Sequence, residues 1–224
     1  MNTEPITKLL EPLRNSAPII IEILGTPNAG KTIALRKLEN LLTRSSQCRV
    51  STIYETAALC PIKEKYNPAY CEWIACETMQ RLLERLDSGS ELILCERGLV
   101  DILCWRQMYL NDSLISPEQY EAGLQYTLNS KPFSALRFVV VFTCEPAVAV
   151  EREYPSAFHA LPGKIVNVPI VTKYNEAVEE VFCRHADLLP RYVVMDTTRQ
   201  TPEETAEGLV EAILSLMLDM RAYL

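Results

Sequence analysis

The eight residues GTPNAGKT, Gly25 to Thr32, directly follow the apolar run IIIEIL at Ile19 to Leu24. No other feature restricts the chain as much. Gly25, four residues and then Gly30-Lys31-Thr32 set glycines where a backbone must curl and a lysine where a helix begins. Glycine accepts the left-handed angles that turn successive N–H groups inward, and the following helix adds its positive N-terminal end. Such a turn cradles phosphate oxygens. Thr26, Pro27, Asn28 and Ala29 form its wall, Lys31 reaches the β- and γ-phosphates, and Thr32 places its hydroxyl on Mg²⁺.

The segments around the loop supply the context it needs. Ile19 to Leu24 reads as a buried strand, and Ile33, Leu35, Leu38, Leu41 and Leu42 recur near helical spacing. A second strand is expected from about Arg49 to Tyr54. Trp73, Met79, Leu82, Leu83 and Leu86 mark a helix ending near Gly89, and ELILCERG, Glu91 to Gly98, supplies a third strand and an abrupt turn. Helical patterns follow from Leu99 to about Leu110 and after Ser116-Pro117-Glu118. LRFVVVFT, Leu136 to Thr143, and Arg191 to Met195 are the fourth and fifth strands, and Thr201-Pro202-Glu203-Glu204 opens a last amphipathic helix. Repeated β-α units predict a three-layer α/β/α sandwich on a five-stranded, mostly parallel sheet. One domain over residues 1–224 accommodates all of it. Residues 145–167, which contain Pro146, Pro155, Pro162 and Gly163, interrupt the alternation as an irregular connection or a lid.

Composition removes several function classes. The 224 residues carry a net charge of -7 and contain no basic run, whereas a general grip on nucleic acid needs clustered Lys and Arg. No stretch approaches the ~20 apolar residues of a membrane span. The N-terminal MNTEPITKLLEPLRNSAP has no long apolar core and does not read as a signal peptide. The eight cysteines form no C-x-x-C pair and have only His159 and His185 as further soft ligands, so they read as buried free thiols of a cytoplasmic protein. No N-K-x-D segment is present to read guanine. Nothing in the pattern fixes an oligomeric state, and a homodimer is compatible with it.

In folds of this class ligands bind at the carboxyl edge of the sheet. Glu55 follows the second strand and Glu96 ends the third, so both belong near the cradle. From Glu96 a carboxylate can hold Mg²⁺ together with Thr32. Arg97 adjoins it, and Asp101 lies one helical turn further on. Glu55, Arg97 and Asp101 are the candidate acceptor site, with Trp73 either one of its walls or a core side chain.

These residues resemble the thymidylate kinase and deoxynucleoside kinase group of P-loop proteins. The phosphate loop, Glu96-Arg97-Gly98 with Asp101 and Trp105, and the late segment before a helix carry the resemblance. It implies ATP as donor and a nucleoside or nucleotide as the small-molecule acceptor. It also implies acceptor contact by Glu55 in Thr52-Ile53-Tyr54-Glu55, and binding of the substrate or the transferred phosphoryl by Arg97. In that group a lid after the fourth strand brings arginines onto the phosphates. Here the corresponding segment holds Arg152 and Lys164 as its only cations, with Arg152 the candidate clamp. If the acceptor is a nucleoside, Glu55 orients or deprotonates its hydroxyl; if it is already a nucleotide, Arg97 binds its phosphate. A regulatory ATPase module that signals to a protein partner would use the same cradle and Glu96.

Overall fold

The computed structural model describes residues 17–45, 48–153 and 166–221. Its sheet contains β1 (Ile19–Gly25), β2 (Val50–Ile53), β3 (Leu92–Glu96), β4 (Leu136–Thr143) and β5 (Arg191–Asp196). The order is β2-β3-β1-β4-β5, and every pairing is parallel. Helices supply the crossovers that parallel strands require. They are α1 (Lys31–Ser45), α2 (Pro68–Asp87), α3 (Leu99–Asn111), α4 (Pro117–Leu128), α5 (Lys131–Ala135), α6 (Pro146–Glu151), α7 (Val168–Arg184) and α8 (Pro202–Arg221).

β1 is buried along its whole length because both of its faces are covered. Ile19, Ile21 and Ile23 pack with Leu35 and Leu38 of α1 and Leu209 and Ile213 of α8. Ile20 and Leu24 pack on the opposite side with Val100 and Leu103 of α3 and Tyr174 and Val178 of α7. The two-residue period of a strand therefore turns one apolar run into the middle of three layers. The same period sends Glu22 to the α3 side.

The expected strands agree with the observed ones to within about two residues. Ser116 caps α4 with a reciprocal bond to Gln119, as its position before Pro117 suggests. Helix α7 adds to the expected elements, and buried Val171, Tyr174, Ala177, Val178 and Val181 repeat along it at helical spacing. The segment expected as irregular or a lid opens with helix α6, while His159 and Lys164 fall outside the described residues. All eight cysteines are free. Among the described residues, no helix is long and apolar enough to cross a membrane.

Candidate active site

The chain leaves β1 at its carboxyl end, where successive crossovers diverge to the two sides of the sheet. Strands β3 and β2 lie on one side of β1, and β4 and β5 lie on the other. Such a divide leaves a crevice at the strand ends. Here it is a cavity of about 630 Å³ with the cradle at its centre.

The cradle has the backbone its glycines imply. Gly25 and Gly30 have φ of 121° and 91°, and a Cβ on Gly25 would lie 1.9 Å from the Phe142 carbonyl oxygen. Asn28 holds a left-handed angle, and its side-chain amide donates to the Ala149 carbonyl at 3.1 Å and the Glu153 carboxylate at 2.6 Å. The Thr26 hydroxyl donates to Asn175 Oδ1 at 2.8 Å and accepts from the Cys144 N–H at 3.1 Å. Its side chain thus braces the loop from α7 and the end of β4.

Lys31 folds back onto this loop. Its ammonium donates to the carbonyls of Gly25 at 2.9 Å and Thr26 at 2.7 Å. Burial, with the nearby Arg97 charge, pulls its pKa down to about 7. Polyphosphate at this position restores the charged form, so nucleotide binding at pH 8 should take up about one proton. Titration calorimetry in buffers of different ionisation enthalpy reads this directly. A Lys31→Arg variant, whose guanidinium stays charged, should take up none.

Thr32 and Glu96 meet as expected, with the hydroxyl donating to Glu96 Oε1 at 2.5 Å. Two hard oxygen donors beside a phosphate cradle suit Mg²⁺, which takes one or two carboxylates and fills its shell with phosphate and water. Among the described residues, no cluster of three or more His, Cys, Asp or Glu forms a protein-only metal cage.

Toward β2 and β3, the ends of those strands bring Glu55, Arg97 and Asp101 together. Arg97 Nε lies 3.2 Å from Glu55 Oε2 as an ion pair without hydrogen-bond alignment. Arg97 Nη1 donates to Asp101 Oδ1 at 3.2 Å, and Tyr174 donates to the same oxygen at 2.5 Å. Burial opposes ionisation of Glu55, but Arg97 and Lys31 outweigh it and hold its carboxyl below the ordinary range. Arg97 occupies a left-handed backbone angle, φ 57°, which lets β3 stop and α3 start at once.

One expectation is corrected. Trp73 does not line the cavity; Tyr70, Cys71 and Ile74 of the same helix do. At about 100° per residue, Trp73 sits roughly a quarter-turn or more from the centre of that face. The tryptophan in the wall is Trp105, whose ring lies 4.9 Å from that of Tyr174. Arg152 borders the cavity on the β4 and β5 side, but its guanidinium braces the loop after β5. It donates to the carbonyls of Thr197, Thr198 and Gln200 at 2.8, 3.3 and 3.3 Å.

Motif reading misses Lys65, which lines the cavity, and Glu22 and Tyr174, which hold Asp101 from behind it. Glu22 is buried beneath the start of α3, where Gly98 offers no capping side chain. Its Oε1 accepts from Gly98 N at 3.0 Å and Asp101 N at 2.8 Å, and its Oε2 from Val100 N at 3.0 Å. The signal was a charged residue inside a run that had to be buried. Lys65 lies on the segment between β2 and α2, where the Tyr66 hydroxyl bonds Asp112, itself paired with Lys173 at 2.7 Å.

No protein-family model matches the chain, and no curated protein sequence does. Solved structures do. Deoxyadenosine kinase from M. mycoides with the products dCMP and a flexible dCDP bound superposes with a TM-score of 0.64 at 16% identity, covering 88% of this chain and 100% of that one. The chain shares the deoxyadenosine kinase fold. The dATP-bound form of that kinase gives a TM-score of 0.63 at 14% identity over 86% of this chain and 98% of that one. Its dCTP-bound form gives 0.60 at 17% identity, with 88% and 100% covered. The motif resemblance therefore holds at the level of the fold.

Proposed function

We propose that this protein transfers the γ-phosphoryl group of ATP to a hydroxyl of a nucleoside-class small molecule. One observation carries the choice of a hydroxyl over a phosphate acceptor. Arg97, the cation at the centre of the acceptor side, is already held between the carboxylates of Glu55 and Asp101, each 3.2 Å away. An acceptor phosphate would displace one of these carboxylates and face the other. A neutral hydroxyl meets no such repulsion and gives Glu55 a hydrogen bond to accept.

The chain's own groups then divide the work. The cradle and Lys31 hold the β- and γ-phosphates, and Arg97 keeps Glu55 ionised and aimed at the acceptor. Thr32 and Glu96 would hold Mg²⁺, which supplies neutralisation of charge on the phosphate oxygens. Phosphoryl transfer through a loose transition state depends mostly on position and charge, so a carboxylate of low pKa serves chiefly to orient the attacking oxygen. The M. mycoides kinase of this fold binds dCMP, dCTP and dATP, which supports a nucleoside-class acceptor.

ADP release from Mg²⁺-ATP, measured with and without nucleosides, tests the reading. Turnover should rise on adding a nucleoside, with a nucleoside monophosphate formed in equal amount. Turnover indifferent to every acceptor overturns it. Arg152→Ala separates two roles for that residue. A brace for the loop beside the nucleotide predicts a higher KM for ATP at little changed kcat, whereas a phosphate clamp predicts a fall in kcat.

A further inference from the structure

The acceptor side of the cavity holds a ligand body without reading its edge. Its walls, away from Glu55 and Arg97, are Tyr70, Cys71 and Ile74 of α2 and Ile102, Trp105 and Tyr109 of α3. The aromatic rings form a continuous set: Trp105 lies 6.3 Å from Tyr109, and Tyr109 lies 5.8 Å edge-on to Tyr66. Such surfaces favour a flat body by stacking and apolar burial.

Specific readout of a nucleobase edge needs a donor and an acceptor presented side by side, as Asn, Gln or an uncommitted carboxylate provides. Among the described residues on these walls none is an amide or a histidine. Asp101 is the carboxylate that α3 contributes to the lining, and it is committed. Its buried oxygens accept from the Tyr174 hydroxyl and from Arg97 Nη1. Freeing it would take from Arg97 one of its two carboxylates and leave the Tyr174 phenol without its acceptor in the interior, a cost a single base contact does not offset. The Tyr109 hydroxyl already donates to the Lys65 carbonyl at 3.4 Å. The remaining polar groups on this side, the Tyr70 hydroxyl, the Cys71 thiol, the Trp105 indole N–H and the donor-only Lys65 ammonium, include no side chain that presents a donor and an acceptor side by side. Burial pushes the thiol up to about 12, so it stays a weak neutral donor.

We propose that the site selects its acceptor by a hydroxyl at Glu55 and a flat body against Trp105, and does not discriminate among nucleobases. This rests on the phosphotransferase reading above. An apolar pocket separates related ligands by about 10- to 200-fold, whereas a pocket that hydrogen-bonds one ligand's edge rejects others by about 10⁴- to 10⁵-fold. The two designs are therefore separable by rate alone.

The experiment compares kcat/KM for deoxyadenosine, deoxyguanosine, deoxycytidine and thymidine with saturating Mg²⁺-ATP. Alongside it, nucleoside binding is followed by fluorescence in a Trp73→Phe variant, which leaves Trp105 as its tryptophan. All four nucleosides should be phosphorylated within about 200-fold of one another, and each should change the Trp105 emission. Replacing a wall residue by an amide, as in Ile102→Asn, should widen the spread among bases. A preference for one base of about 10³-fold or more in the unaltered protein overturns base-blind selection and leaves the kinase reading standing. Failure of all four to bind or react, with ATP consumed regardless, overturns the kinase reading and this inference with it.

Discussion

Glu55→Gln should lower kcat by about 10²-fold while leaving the KM for ATP unchanged. The substitution keeps the shape of the side chain and removes the charge that Arg97 faces at 3.2 Å. Two consequences act together. The acceptor hydroxyl loses the carboxylate that aims its oxygen, and Arg97 keeps only Asp101 as an anionic partner. The loss belongs at the lower end of the general-base range of about 10²- to 10⁴-fold, because a carboxyl held below its ordinary pKa is a weak proton sink. The same direction means that Glu55 stays ionised throughout the neutral range, so it contributes no pH dependence between pH 6 and 8. Steady-state kinetics with varied acceptor and fixed Mg²⁺-ATP measures the effect. An unchanged kcat removes Glu55 from the mechanism.

Glu55 was legible in the sequence for a topological reason. In a parallel β-α sheet every strand ends at the same edge, so a carboxylate following one apolar run and an acidic-Arg pair ending the next must lie near a cradle at a third. Glu96 and Arg97 came from the same rule, Thr32 from the phosphate loop itself, and Asp101 from its helical spacing to Arg97. The tryptophan could not be settled that way. Periodicity states that α2 has an inner face, but whether Trp73 or Tyr70 sits on it depends on how the helix is rotated against α3. That rotation is a tertiary fact. Arg152 shows a further limit: a cation after β4 is visible in the sequence, but its tie to the carbonyls of Thr197, Thr198 and Gln200 after β5 is not. Tyr174 reaches Asp101 across 73 positions of sequence, and no local pattern encodes such a contact.

Glu22→Ala should destabilise the fold by about 3 kcal/mol or more, since each buried N–H left unsatisfied costs about 1–3 kcal/mol. The N–H groups of Gly98, Val100 and Asp101 converge on this one carboxylate. No side chain at position 98 can be added beside it, because a Cβ there would stand 2.8 Å from the Glu22 carboxyl. Strand and helix are thus fitted to each other: the glycine makes room for the charge, and the charge caps the helix. Glu22→Gln should fall between, because an amide oxygen in place of Oε1 keeps the Gly98 and Asp101 bonds while its NH₂ confronts the Val100 N–H. Burial raises the Glu22 pKa from 4.5 to about 7 against the pull of these donors. The folded state therefore binds the extra proton between those values, and this contribution is fully present below pH 4.5 and lost as pH climbs through about 7. The stability gap between the unaltered protein and Glu22→Ala should accordingly be wider at pH 5 than at pH 8, as read from urea unfolding. Function should follow the geometry. The turn that sets Arg97 and the first turn of α3 that carries Asp101 loosen together, so acceptor turnover falls while nucleotide binding at the cradle, built on β1 and α1, persists. A variant as stable and as active as the original would mean that water caps α3 as well as Glu22 does.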